Sequence, residues 1–191
     1  MKRRHFLTTT AALAALFPAA QLLTPDEARA AEAKGISTKK SKLTPPSSGS
    51  ISVAVAISEF LNVIDFSGPW GVFESVNLPN ATEPPFRLFT VAEKKETVVS
   101  GSGLKLVPDY TFADVPKVNV IVVPAQKGSD ALIDWLRKTA PTTEVTMSVC
   151  TGAFKLAKAG LLNGKAATTH HDFLDKLQKE YPEIEVKRGV R

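Results

Sequence analysis

Cys150 is the only cysteine in the chain. It stands in Val145-Thr-Met-Ser-Val-Cys-Thr-Gly-Ala153, where an apolar, β-branched run gives way to small residues and then to a helical pattern. Ser148-x-Cys150-x-Gly152 has the small-x-nucleophile-x-small spacing of a nucleophile elbow, with cysteine in the place of serine. Small flanks suit a strand-to-helix turn too tight for bulky neighbours. A sulfur in that turn faces the unpaired N–H groups of a helix start, which favour thiolate over thiol. The competing reading is a small buried hydrophobe at the end of a core strand.

Four further positions carry chemistry. Asp65 lies in Val63-Ile-Asp-Phe-Ser-Gly-Pro69, beyond the first strand. A partly desolvated carboxyl group there can shuttle a proton; the alternative is a turn or helix-cap aspartate. His170 closes the extended piece Ala167-Thr-Thr-His170, where a strand end points toward the site face, and His171 is the weaker candidate. Thr151 offers a hydroxyl and an N–H where charge develops, or is an ordinary first-turn residue. Ala125, after the third-strand Pro124, offers an N–H for an oxyanion.

The elements that must position these groups alternate. Strands are expected over 51–57, 86–92, 118–124 and 145–149, with a last one over 184–190. Helices are expected over 66–76 (Ser67 its cap, Pro69 in its first turn), 129–140, 151–162 and 172–180. A short hairpin is expected within 97–107, around Gly101-Ser-Gly103. Near-continuous apolar strands alternating with helices imply an α/β domain with a mainly parallel sheet, whose sites lie beyond the carboxyl ends of strands.

The N-terminus reads as an address. Met1-Lys-Arg-Arg-His-Phe-Leu7 precedes an apolar segment too short and too proline-interrupted for a comfortable transmembrane span, and Ala28-Arg-Ala30 has the form of a leader-peptidase site. It resembles a twin-arginine (Tat-type) signal over 1–30, from which a periplasmic or secreted protein with no stable membrane insertion after cleavage is expected. The Pro/Ser/Lys-rich residues 31–50 read as a disordered tether. The formal charge of the chain is +5, yet Ile51 to Arg191 holds 16 Lys+Arg against 16 Asp+Glu. The basic excess belongs to signal and tether, so no nucleic-acid partner is implied. With one cysteine the chain forms no internal disulfide, and an unpaired cysteine in an exported protein marks a reactive thiol or an intermolecular pair.

Four segments together resemble one family: Val-Ile-Asp65-Phe-Ser-Gly-Pro, Ile-Val-Val-Pro124, Ser-Val-Cys150-Thr-Gly-Ala and Gly-Leu-Leu-Asn-Gly-Lys-Ala-Ala-Thr-Thr-His170. They resemble the ThiJ/PfpI family of the class I glutamine amidotransferase-like superfamily over Ile51 to Arg191. That resemblance implies a flavodoxin-like three-layer sandwich, a homodimer, a reactive cysteine on a strained elbow, and no metal or organic cofactor. Cys150-Thr151, in place of Cys-His, is similar to the isonitrile-hydratase and AraC-regulator N-terminal-domain branch. In the hydratases the cysteine attacks the isonitrile carbon and an aspartate matching Asp65 handles the proton. The expected activity is a cysteine-dependent hydratase or amidohydrolase acting on a small molecule. The alternatives are a redox or stress module that senses or scavenges oxidants through Cys150, and a small-ligand-binding domain. Two departures stand out. Pro124-Ala-Gln126 replaces the family's usual Gly-Gly, and the family's further strand and long helix do not follow before Arg191.

Overall fold

A computed structural model describes residues 49–79 and 82–190. The segments read as signal and tether therefore lie outside the described residues, save for 49 and 50. Four long-named strands form the body of one sheet: β1 (Ile51–Ala56), β2 (Phe86–Ala92), β6 (Val120–Val123) and β7 (Val145–Ser148). A fifth, β5 (Tyr110–Thr111), adds an edge, giving the order β5-β2-β1-β6-β7 with every pairing parallel. The expected α/β, flavodoxin-like sandwich is thus the observed one.

Alternation along the strands explains the layers. In β1, Ala54 and Ala56 join the cluster of Ile121, Val123, Leu132, Leu136 and Leu156. Val53 and Val55 join the opposite cluster, with Val120, Val122 and the partly buried Phe66, Trp70 and Phe73. Successive side chains of a strand point to opposite faces, so a run apolar at every position must be covered on both. Helices α2 (Asp130–Thr139) and α3 (Ala153–Lys158) cover one face, and α1 (Val63–Glu74) covers the other. Each fully buried Val or Ile contributes about 1.5–3 kcal/mol relative to exposure.

Several elements depart from expectation. Helix α1 begins at Val63, so Ser67 is not its cap and Pro69 lies in its interior. The cap position is Asn62, and Asp65 sits in the first turn, where a carboxylate complements the positive end of the helix. Pro69 lacks the N–H that would bond the Asp65 carbonyl. The helix after Cys150 opens with a 3-10 turn (Cys150–Gly152), and α3 ends at Lys158 rather than reaching Leu162. Gly160, at φ +77°, turns the chain there, ahead of Gly164; glycine takes that conformation without steric cost.

The last predicted strand is also reduced. β9 (Glu185–Val186) is two residues long and pairs with β8 (Ala166–Ala167), apart from the main sheet. Between them a 3-10 turn (His171–Phe173) leads into α4 (Leu174–Glu180). The hairpin is present as β3 (Val98–Val99) against β4 (Lys105–Leu106). Edge strand β5 was not legible, because two residues carry no periodicity. It is pinned from outside the ladder, where Asp109 Oδ2 accepts hydrogen bonds from the Thr90 N–H and hydroxyl, each at 2.8 Å.

Candidate active site

Cys150 follows β7 with φ +55°, left-handed backbone for a residue that bears a Cβ. That conformation costs about 1–2 kcal/mol and persists only where the surroundings hold it. Three contacts do so. The Val149 N–H donates to the Val123 carbonyl at 3.0 Å, and the Gly152 N–H donates to the Val149 carbonyl at 3.0 Å. The Thr169 hydroxyl donates to the Cys150 carbonyl at 3.0 Å. Gly152 is required for the approach: a Cβ there would lie 2.0 Å from the Val123 oxygen. The expected elbow is therefore built by a strand end, a glycine and a threonine nineteen residues downstream.

Asp65 is brought to the sulfur from the other side of the sheet. The first turn of α1 places its carboxyl group at 5 % exposure. Oδ1 accepts from Asn62 Nδ2 at 3.3 Å, and Oδ2 accepts from the Ala125 N–H at 3.2 Å. The Asn62 N–H in turn donates to the Ala125 carbonyl at 2.9 Å. This exchange locks the start of α1 to the loop after β6. It also corrects the part expected of Ala125, since its N–H is turned to the Asp65 carboxylate and not left open for an oxyanion.

The electrostatics of the thiol correct a second expectation. Burial pushes the Cys150 thiol above its ordinary value, and the Asp65 carboxylate adds to this by its charge and by hydrogen bonding with the thiol. The Thr151 N–H and hydroxyl act in the opposite direction and do not prevail. A standing thiolate needs a helix dipole strong enough to outweigh desolvation. The segment after Cys150 is a 3-10 turn and a six-residue helix, and the nearest full charge is negative. Cys150 is thus partly exposed, with its thiol pushed above the ordinary value and the Asp65 carboxyl group beside it.

His170 is placed differently from Thr151. β8 ends at Ala167, outside the main sheet, so His170 does not close one of that sheet's strands. It caps the 3-10 turn instead: its Nδ1 accepts from the Asp172 N–H at 3.3 Å. Its ring stacks on His171 at 4.2 Å between centroids and meets Phe173 edge-on at 5.9 Å. Within this segment the hydrogen bond to the elbow comes from Thr169. The structure therefore gathers Cys150, Thr151, Asp65 and Ala125 in one constellation and gives His170 its polar partner on its own turn.

Two supporting residues had escaped sequence reasoning. Asn62 precedes a helix whose start had been set three residues too late, which hid its contact with Asp65. Thr169 was read only as part of an extended piece, and nothing local marks which of two consecutive threonines reaches back to Cys150. Gln126 is a buried polar residue beside the site loop; its Nε2 donates to the Ala56 carbonyl at 2.9 Å.

The comparisons with known proteins bear on this geometry. Residues 51–190 match the model of the DJ-1/PfpI family. The chain belongs to this family. It is 37% identical over 123 residues to an isonitrile hydratase of Pseudomonas putida, covering 60% of this chain and 51% of that protein. It is 31% identical over 98 residues to an HTH-type transcriptional regulator of Pseudomonas aeruginosa, covering 49% of this chain and 29% of the regulator. The chain thus spans about half the length of the hydratase and under a third of the regulator. Among solved structures, a ThiJ/PfpI family protein from Pseudomonas syringae superposes with a TM-score of 0.64 at 24% identity, covering 82% of this chain and 65% of that one. Schizosaccharomyces pombe DJ-1 superposes with a TM-score of 0.56 at 17% identity, over 72% of this chain and 76% of its own. These likenesses establish the sandwich independently of its sequence pattern.

Proposed function

We propose that this DJ-1/PfpI domain is a cysteine-dependent hydratase-like enzyme acting on a small molecule with an electrophilic carbon, such as an isonitrile. The observation that carries the reading is the buried Asp65 carboxylate held against the Cys150 thiol. The similarity to a protein named isonitrile hydratase supports it. In this chemistry Asp65 takes the thiol proton as the sulfur bonds the terminal isonitrile carbon. Asp65 then returns that proton to the same carbon, leaving a thioimidate. A water then adds across the C=N bond, its hydroxyl going to carbon and its proton, relayed by Asp65, to nitrogen. Collapse of the adduct breaks the carbon–sulfur bond, releases an N-substituted formamide and restores the thiol. The Thr151 N–H and hydroxyl face the sulfur and steady its charge as it forms and leaves.

A thiol paired with a base suits this cycle, because the proton removed in the first step is needed in the second. An oxidant sensor needs a reactive thiolate but no proton partner, so the Asp65 carboxyl group beside the sulfur favours the hydratase reading. The test is formation of N-formamide from a simple alkyl isonitrile by the wild-type chain and by Asp65→Asn. The expected result is turnover by the wild type and a loss of about 10²–10⁴-fold in the variant. The same variant should alkylate faster with iodoacetamide at neutral pH, since a neutral amide no longer disfavours the thiolate. Equal turnover by both proteins would overturn the proton-shuttle role. Peroxide consumption by both, with no isonitrile hydrated by either, would favour the redox alternative.

Two further parts of the reading concern place and assembly. The twin-arginine N-terminus supports export to the periplasm or beyond. Helix α1 supports pairing of two copies: it is apolar nearly all round, and Ile64 and Val72 are each 68 % exposed on it. Among the described residues, no helix is long and apolar enough to cross a membrane.

A further inference from the structure

Three donors of metal-binding type follow one another directly after Thr169. They are His170, His171 and Asp172, at the start of the 3-10 turn that leads into α4. Each offers one ligand atom, and these atoms all lie within 4.8 Å of one another. His171 Nε2 stands 3.2 Å from Asp172 Oδ1, and His170 Nδ1 stands 3.8 Å from Asp172 Oδ2. The carboxylate thus has one oxygen on the side of each imidazole, and His170 Nδ1 would exchange its hydrogen bond from the Asp172 N–H for the ion. Around an ion with bonds of about 2.1 Å, neighbouring ligand atoms sit roughly 3.0–3.4 Å apart in octahedral or tetrahedral geometry. The two histidine–aspartate separations need to close by no more than a few tenths of an ångström, and the two imidazole nitrogens, within 4.8 Å of each other, close the rest by rotation of exposed rings.

The backbone beneath the cluster is fixed. The Phe173 N–H donates to the His170 carbonyl at 2.9 Å. The Phe173 ring packs edge-on against Phe154 of α3, at 6.3 Å between centroids. The donors themselves are open: the side chains of His170, His171 and Asp172 are 37%, 79% and 67% exposed. Three protein ligands on an accessible turn leave coordination positions for water or a small molecule.

We propose that His170, His171 and Asp172 form a binding site for a divalent transition-metal ion of borderline softness, of the zinc, nickel, copper or cobalt class. Imidazole nitrogen with a single carboxylate selects such ions over magnesium or calcium, which take oxygen ligands almost exclusively. The site lies beside the elbow, because Thr169, next to His170, bonds the Cys150 carbonyl. It is separate from the proton chemistry assigned to Asp65 and does not depend on it.

The test is isothermal titration of the full chain with zinc chloride, together with cobalt(II) absorption spectra. The variants are His171→Ala, Asp172→Asn and Cys150→Ser. One equivalent should bind to the wild type and to Cys150→Ser. Affinity should fall at least about tenfold in each of the other two, with thermal melts of the metal-free proteins unchanged. The cobalt spectrum should show no sulfur-to-metal charge-transfer band. Absence of binding, or equal affinity in His171→Ala and Asp172→Asn, would overturn the proposal. So would binding lost only in Cys150→Ser, which would put the ion on the thiol.

Discussion

Gly152→Ala should be among the most damaging single-methyl changes available in this domain. The added carbon would lie 2.0 Å from the Val123 oxygen, 2.9 Å from the Val123 carbonyl carbon and 3.0 Å from the Pro124 oxygen. All three are backbone atoms, so no flexible side chain can swing away. Val123 is fully buried in a central strand, and its carbonyl already accepts the Val149 N–H at 3.0 Å. Moving the elbow away from the strand stretches that bond and leaves a buried carbonyl short of a partner, at about 1–3 kcal/mol. Overpacking against the strand adds about 1–3 kcal/mol. A total of about 4 kcal/mol is a large part of the roughly 5–15 kcal/mol that holds a domain folded. For a domain of this size it corresponds to a fall in melting temperature of about 10–15 °C. The assay is thermal unfolding followed by circular dichroism, with Gly101→Ala as the control. A Cβ at Gly101 would meet only the Phe60 oxygen at 3.9 Å, so that variant should stay within about 0.5 kcal/mol of wild type. A loss of less than about 3 °C in Gly152→Ala would refute the claim that this glycine exists for backbone approach.

Iodoacetamide alkylation of Cys150 should rise with pH and reach half its limiting rate above the value for an unperturbed thiol, since burial and Asp65 both disfavour the thiolate; a midpoint below it would mean that the helix start prevails after all. Changing Arg3 and Arg4 together to Lys should block export, as followed by cell fractionation, and undiminished export would end the twin-arginine reading. Under the proposed pairing of two copies, Val72→Lys, on the exposed face of α1, should lower the sedimentation coefficient toward that of a monomer; an unchanged coefficient would remove α1 from any interface.

Composition and local pattern were enough to foresee the sheet, the two-sided core and the elbow, for physical reasons. Val53, Val55, Val120 and Val122 alternate with Ala54, Ile121 and Val123, and a strand apolar on both faces has few places to go but the middle of a sandwich. The amphipathic run from Ser129 announced α2, and the structure makes Ser129 its cap, with Oγ accepting the Leu132 N–H at 3.2 Å. The small residues around Cys150 announced a turn that only small residues permit. Boundaries fared worse where rules compete. Proline usually marks a first turn, so Pro69 drew the start of α1 toward Ser67, whereas packing of Phe66, Trp70 and Phe73 on the sheet carries the helix through it.

The types of the reacting groups, a lone cysteine and an aspartate between apolar neighbours, were thus determined by the sequence itself. Their relationship was decided by the tertiary structure. Asp65 and Cys150 are far apart in the chain and meet only because β1 and β7 both flank β6 in one parallel sheet. Burial, and with it that meeting, pushes the thiol above its ordinary value. Local sequence placed Cys150 before a helix and so argued for a thiolate. Folding partly buried it and set a carboxylate beside it, and desolvation with like charge outweighs the dipole of a single 3-10 turn and a short helix.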